Sequence, residues 1–314
     1  MKNQLKKHDI TQCALYKCRS KSRLAKILQI DSEEFNDLDK IVNYSSFLKD
    51  KKDGEQRKIT SPNKKLKTVQ RRILRLLTRI ERPPWVISSQ RGKSYIDNGK
   101  YHQQSTYLIS MDIRKFYENC SREYIYQFFK NSLHTSSDVA EILTTIVTLE
   151  NKLPTGSPTS QIIAYYAYQK MFNEIHDIAE QYGCIFTLYV DDMTFSSNLP
   201  FNTSQLKNKI DIELRRYSHK PKYSKIKYFS KKKHKIVTGV SITPDNKLSV
   251  TNNLRIKIYT AAVNQLRKSE TFSDSTPSEL KTLMGQLQAA QSVDPSIFPE
   301  IRRLVDRKTK NITI

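Results

Sequence analysis

The sequence predicts an α+β fold. Three observations predict it. Short apolar, β-rich runs such as Thr106–Asp112 (TYLISMD) alternate with segments that are apolar at helical spacing. Two pairs of strand-like runs flank turns, one at Asp191-Asp192 and one at Pro244-Asp245-Asn246. The final ~60 residues carry only helical periodicity. Antiparallel strands are therefore expected on one side and helices on the other.

In chain order, residues 1–50 look helical and basic, with acidic punctuation at Asp31–Asp39. Lys51–Glu55 is a turn signal. Between Arg57 and Ile80, Val69, Ile73, Leu76, Leu77 and Ile80 form one helical stripe. Arg71, Arg72, Arg75 and Arg79 lie mostly off it, and Pro83-Pro84 ends the helix. Thr106–Asp112 is a buried strand. Helices follow at Arg122–Lys130 and Asp138–Leu149. LPTGSPTSQ (Leu153–Gln161) is a turn-rich loop, after which Thr159 or Ser160 caps a helix reaching about Tyr182. Cys184–Tyr189 and Met193–Ser197 make the acidic hairpin, and Thr203–Tyr217 makes a helix. Lys235–Thr243 and Lys247–Thr251 make a second hairpin. In the helical end, Leu254, Ile258, Ala261, Ala262 and Leu266 share a stripe. Thr276-Pro277-Ser278-Glu279 combines a capping box with proline at the first helical position.

Composition narrows the function. The chain has 314 residues, 37% of them hydrophobic, enough for a large core. Lys and Arg total 54 against 31 acids, a net charge of +23, which points to a polyanionic partner such as nucleic acid. Eight lysines fall between Lys220 and Lys235, with Tyr217, Tyr223, Tyr228 and Phe229 beside them. Lysines attract phosphate and aromatics stack on unpaired bases. Cys13, Cys18, Cys120 and Cys184 have no metal-site spacing and fit reduced, packed thiols of a cytoplasmic protein. The start, MKNQLKKHDI, has no following apolar run and is not a signal peptide; no span of membrane length is expected.

The acids carry the chemistry. Asp112 closes one strand, and Asp191-Asp192 tip a hairpin between the apolar shoulders Tyr189, Val190, Met193 and Phe195. Adjacent buried carboxylates repel and need a positive partner. If the strands are neighbours, three carboxylates converge, a ligand set suited to Mg²⁺. Two such ions can serve phosphoryl transfer at a nucleic-acid end. Taken alone, Asp-Asp is also common at solvated turns, and Asp112 could simply cap the residues after it.

With these residues in view, the chain resembles a reverse transcriptase of the bacterial retron type. YVDD at Tyr189–Asp192 is similar to the family's YxDD box, and SMDIRKFY at Ser110–Tyr117 to its first catalytic motif. LPTGSPTSQ resembles the nucleotide-pocket motif, with Thr155 and Gln161 as departures. RKITSPNKKLKTVQ matches a fingers pattern through Arg57, Ile59, Pro62, Leu66, Lys67 and Gln70. NGKYH (Asn98–His102) and VTG (Val237-Thr238-Gly239) resemble two retron-specific boxes.

The resemblance implies a right-hand polymerase, an RNA-directed DNA polymerase and so a nucleotidyltransferase. Its divisions would be an N-terminal helical extension (1–50), fingers (51–105), palm (106–250, with a fingers insertion about 120–155) and helical thumb (251–314). Asp112, Asp191 and Asp192 would be catalytic and bind two Mg²⁺, with Mn²⁺ a possible substitute, and the carbonyl of Ile113 would complete one shell. Tyr117 would be the gate against ribonucleotides. Arg57, Lys67, Gly156, Ser157 and Lys227 would meet the nucleotide. Asn98, His102, Val237, Thr238, Gly239, Arg255 and Lys257 would meet RNA or primer, although a packed, hydrogen-bonding role is the default for a lone histidine such as His102. The further expectations are a cognate non-coding RNA (msr-msd), branched multicopy single-stranded DNA primed from a 2′-OH, a neighbouring effector protein, a separate host RNase H, and antiphage defence. Two other readings are open: another prokaryotic reverse transcriptase, intron-derived or of the abortive-infection type, and a non-catalytic RNA-binding protein that keeps the palm.

Overall fold

A computed structural model describes residues 6–50, 56–270 and 277–312. The first long helix, α1 (Lys21–Leu28), starts on Ser20, whose hydroxyl accepts from the Arg23 N–H. Strands β1 (Tyr44–Asp50) and β2 (Gln56–Pro62) then pair antiparallel, from Tyr44 opposite Pro62 to Asp50 opposite Gln56. The helical reading of residues 1–50 is therefore corrected at 44–50. The alternation there is short, and it becomes a strand only because β2 supplies a partner. The turn expected at Lys51–Glu55 lies outside the described residues.

Helix α2 (Lys64–Leu77) is capped by Asn63, which accepts from the Leu66 N–H at 2.8 Å. It buries Leu66, Val69, Ile73 and Leu77, the stripe seen in the sequence. Next, α3 (Tyr95–Tyr101) begins with a Ser94/Asp97 capping box. Strand β3 (Tyr107–Asp112) is followed by α4 (Phe116–Asn119), α5 (Arg122–Gln127) and α6 (Ser137–Val147).

The helix expected to run unbroken to about Tyr182 is two, α7 (Ser160–Ala167) and α8 (Gln169–Gln181). They break at Tyr168, where φ is −114°. Its ring is buried, and its hydroxyl accepts from the Ser121 N–H at 2.9 Å and donates to the Asn119 carbonyl at 3.2 Å. Those tertiary bonds offset the helical turn that is lost. The acidic hairpin is β4 (Ile185–Tyr189) and β5 (Asp192–Ser197), followed by α9 (Thr203–Arg216) and the short β6 (Lys227–Phe229).

Strands β7 (Lys235–Val237), β8 (Val240–Ile242) and β9 (Leu248–Val250) form a separate sheet. The sequence suggested one strand over Lys235–Thr243. Instead, Thr238 (φ 46°) and Gly239 (φ 96°) make a two-residue hairpin loop, with Val237 opposite Val240. Positive φ at both loop positions suits the right-handed twist of the strands. The end is helical: α10 (Asn252–Glu270), α11 (Pro277–Val293) and α12 (Pro299–Ile312). Helix α11 starts at the expected proline, while Thr276 of the capping box lies outside the described residues, as does the side chain of Leu266.

The main sheet has the order β4-β5-β3-β6, antiparallel throughout. One core joins its inner face to α1, α2 and α5–α9. Residues before 44 belong to that core through Leu15, Cys18, Leu24, Leu28, Phe35 and Ile41. A second core, including Ile258, Leu283, Leu287, Ala290 and Val305, holds α10–α12 together. All four cysteines are buried and unpaired, as expected from their spacing. Among the described residues, no helix is long and apolar enough to cross a membrane.

Candidate active site

Strand register brings the three acids together. Asp112, at the end of β3, lies opposite Asp192, at the start of β5. Asp191 sits in the two-residue loop between β4 and β5, and its carbonyl accepts the Ile113 N–H at 3.0 Å. Residues nearly eighty positions apart in sequence thus share one sheet edge. Val190, the other loop residue, has φ 63°, a strained value for a β-branched side chain. The Ser88 hydroxyl accepts the Val190 N–H at 3.0 Å and helps hold it.

The electrostatics follow from the geometry. Burial, then the charges of Asp191 and Asp112, push the Asp192 carboxyl up to about 7. The Lys225 ammonium lies 3.0 Å from Asp112 Oδ2. Burial pulls the Lys225 pKa down, but its hydrogen bond to Asp112 and the three acidic charges together hold it above the usual lysine value. One lysine does not neutralise three carboxylates. The donor set is all hard oxygen with an excess of negative charge, which fits divalent cations.

A groove of about 310 Å³ opens at these acids. Asp112, Asp192, Lys225, Lys227, Thr238 and Gly239 are among its lining residues. Lys227 is exposed on β6, opposite Ser110. Lys225, two residues earlier, is the one that meets Asp112. Sequence reasoning missed it because eight lysines crowd Lys220–Lys235 and only register separates them.

Tyr117 is partly buried on α4, tilted against Phe116 with ring centroids 5.7 Å apart. Lys67 is half-buried in the first turn of α2. Arg57 falls on β2 opposite Lys49, and its side chain lies outside the described residues. Gly156 has no room for a side chain: a Cβ there would sit 2.0 Å from the Thr60 carbonyl oxygen. The loop backbone thus lies against β2. The Ser157 hydroxyl donates to Gln70 Oε1 at 2.9 Å, and Gln70 Nε2 donates to the Tyr44 hydroxyl at 2.7 Å and the Ile146 carbonyl at 2.8 Å. Burial pushes the Tyr44 phenol up to about 12.

The expectation that Asn98, His102 and Val237 touch RNA is corrected, because all three side chains are fully buried. His102 bonds the Ser196 hydroxyl on β5 through Nδ1 and the Thr187 hydroxyl on β4 through Nε2, both at 2.7 Å. Burial pulls its pKa down to about 3, so the ring is neutral. It staples the acidic hairpin from behind. Asn98 Nδ2 donates to the Thr238 hydroxyl at 3.3 Å, and that hydroxyl donates to the Tyr95 carbonyl at 3.2 Å. The two retron-like boxes therefore meet each other, and Asn98 anchors the hairpin loop that faces the groove. Gly239, Arg255 and Lys257 are exposed; Arg255 bonds the Val250 carbonyl and the Ser249 hydroxyl.

A different set of ligand-type groups, His176, Asp177 and Glu180 on α8, has one atom each within 4.8 Å of the others. It contributes nothing to the groove lining, and His176 stacks on Trp85 with centroids 5.2 Å apart.

The family described as reverse transcriptase (RNA-dependent DNA polymerase) matches residues 49–246, well over half of the chain. Among curated proteins, the chain is 28% identical over 166 residues to the Retron Se72 reverse transcriptase of Salmonella heidelberg (strain 579083-10), covering 52% of this chain and 44% of that one. It is 25% identical over 266 residues to the Retron Ec83 reverse transcriptase of Escherichia coli, covering 80% and 83%. It is 28% identical over 157 residues to the Retron Ec86 reverse transcriptase of Escherichia coli, covering 49% of each. The chain thus spans about half the length of two of these three relatives. The chain belongs to the reverse transcriptase (RNA-dependent DNA polymerase) family, and the relatives it resembles within that family are bacterial retron reverse transcriptases.

Proposed function

We propose that this chain is an RNA-directed DNA polymerase of the retron type. The observation that supports it most is the pairing of Asp112 with Asp192 across β3 and β5, with Asp191 tied to Ile113 beside them. A register shift of one residue would turn Asp112 to the other face of the sheet, so the convergence is specific.

In this reading Asp112, Asp191 and Asp192, with the Ile113 carbonyl, hold two divalent ions, Mg²⁺ or in its place Mn²⁺. Bound there, the ions would activate the primer hydroxyl and stabilise the leaving oxygen. The protein's own groups position the reactants. Lys67 and Arg57 grip the triphosphate. Tyr117 crowds a ribose 2′-OH and so selects deoxynucleotides. Gly156 and Ser157 shape the loop beside the nucleotide, Ser157 through its bond to Gln70. Lys225 and Lys227 line the groove on the phosphate side. Thr238 and Gly239 present a backbone loop to the primer end, and Arg255 and Lys257 add cationic charge on α10. The fingers, palm and thumb are taken as 51–105, 106–250 and 251–314, with residues 1–50 adding β1 to the fingers hairpin.

The substrates are dNTPs and a cognate structured RNA of msr-msd type. The product is multicopy single-stranded DNA branched from a 2′-OH. An effector protein, a host RNase H, a cytoplasmic setting and antiphage defence complete the proposal. The test is to purify the protein from its host, extract the bound nucleic acid, and sequence it with and without debranching. A 2′–5′ linked RNA–DNA species is expected. Unbranched DNA would favour an intron-derived or abortive-infection relative, and RNA with no DNA would favour a non-catalytic binder.

A further inference from the structure

Helices α1 and α2 carry cationic charge that, Lys67 apart, the catalytic site proposed above does not use. Helix α1 has three basic residues, Lys21, Arg23 and Lys26, and no acid; helix α2 has six, from Lys64 to Arg75, and no acid. Both helices bury one face in the same core, through Leu24, Ala25 and Leu28 and through Leu66, Val69, Ile73 and Leu77. They also touch directly: Arg72 Nε donates to the Ile27 carbonyl at the end of α1. Because the two helices are in contact, their exposed residues lie on neighbouring stretches of surface. On those stretches Lys21, Arg23, Lys26, Arg71 and Arg75 are exposed. Among the described residues none of these five is in a salt bridge; the one ion pair on either helix is Lys65 with Glu34.

An unpaired block of like charge repels itself and weakens the fold that carries it. Few carboxylates within the described residues offset it, Glu34 at Lys65 and Asp138 toward Lys21, so most of the compensating charge is external. The kind of polyanion follows from what the face lacks. None of the exposed large apolar side chains lies on α1 or α2, whereas the palm has Tyr223, Tyr228 and Ile236 exposed near the groove. Unpaired strands are held by stacking on aromatics. A face of bare cations holds paired strands, whose bases are hidden and whose phosphates are regular. Helix α2, at 14 residues, is about 21 Å long, the reach of about six phosphates along one strand. None of the groove-lining residues comes from α1 or α2.

We propose that the outer face of α1 and α2 binds the sugar-phosphate backbone of a double-stranded stem, separately from the groove that takes the primer end. The partner is a paired region of the same folded RNA, so the identity of the RNA rests on the function proposed above, while the binding itself does not.

The test uses the full chain and a fourfold variant, Arg23→Gln, Lys26→Gln, Arg71→Gln and Arg75→Gln. Its affinity for a hairpin RNA with a long paired stem is measured over a range of salt. Its extension of a short primer on a short RNA template is measured in parallel. Removing four phosphate contacts should flatten the slope of log affinity against log salt by about 3 to 4 and weaken stem binding at least about tenfold. Short-template extension and the melting temperature should stay at the wild-type values. A fourfold Lys/Arg exchange at the same positions should restore the slope. An unchanged slope in the glutamine variant overturns the proposal. So does loss of binding to vesicles containing phosphatidylserine with stem binding intact, which would assign the face to a membrane. If the wild-type chain extends no primer, the polymerase reading fails, and the slope still decides the stem surface.

Discussion

The Lys225 ammonium stands 3.0 Å from Asp112 Oδ2, inside the groove that Asp192 also lines. The pair occupies ground that a cation bound by Asp112 would share. Lys225 and a divalent ion should therefore compete for the same carboxylate. Lys225→Met should shift the Mn²⁺ titration midpoint, read by the metal-induced rise in melting temperature, several-fold to lower concentration. An unchanged midpoint would remove that competition. The effect on metal-free stability should be small, because the Lys225 side chain is 53% exposed and exposed pairs contribute at most about 1 kcal/mol.

Asp192 makes stability depend on pH. Its carboxyl is raised to about 7 on folding, chiefly by burial, from about 3.9 in an unfolded chain. Below the unfolded value both states are protonated and nothing is lost. As pH rises, the unfolded state releases its proton first, so stability falls between about 4 and about 7 and then levels. In chelator, Asp192→Asn should remove this fall. The variant should exceed the wild type by on the order of 2 kcal/mol at pH 8 and match it at pH 4. Urea unfolding across pH measures it, and parallel curves for the two proteins would contradict it.

Two glycines should respond differently to alanine. At Gly156 the added Cβ would meet the Thr60 carbonyl oxygen at 2.0 Å, which the backbone can relieve only by moving. At Gly99 the nearest atoms, on Val240, are 3.4 Å away. Gly156→Ala should lower stability by about 2 kcal/mol or more and displace the loop from β2. Gly99→Ala should stay within about 1 kcal/mol of the wild type. Thermal melting of both variants checks the contrast.

His102→Ala should leave two buried hydroxyls, on Thr187 and Ser196, without their ring partner. Ser196 keeps a bond to the Ser105 hydroxyl, so the loss should be about 2–4 kcal/mol rather than complete unfolding. RNA affinity of the folded fraction should be unchanged, because the ring is fully buried. A selective fall in RNA binding with normal stability would return His102 to the RNA surface.

Much of this was legible in the sequence, for identifiable reasons. The stripe of Val69, Ile73 and Leu77 has helical period and a proline stop, so α2 was visible. Asp112 and Asp191-Asp192 end or tip apolar runs, so their strands were visible too, and the register that joins them follows once β3 and β5 pair. What escaped depends on distant partners. β1 is a strand because β2 lies beside it. The break at Tyr168 exists because Asn119 and Ser121 bond its hydroxyl. The turn at Thr238-Gly239 lacks the usual Asn-Gly or Asp-Gly signal; Thr238 is held there by Asn98, 140 positions earlier. Helix α3 was missed although its Ser94/Asp97 capping box was present, because the helix itself spans only 7 residues.

The central claim is that the acids at 112, 191 and 192 act together on a growing DNA end. Primer extension on an RNA template with dNTPs and Mg²⁺, comparing the wild type with Asp191→Asn, tests it most directly. The account predicts DNA synthesis by the wild type and none by the variant, with RNA affinity nearly equal in the two. Normal synthesis by Asp191→Asn would contradict it.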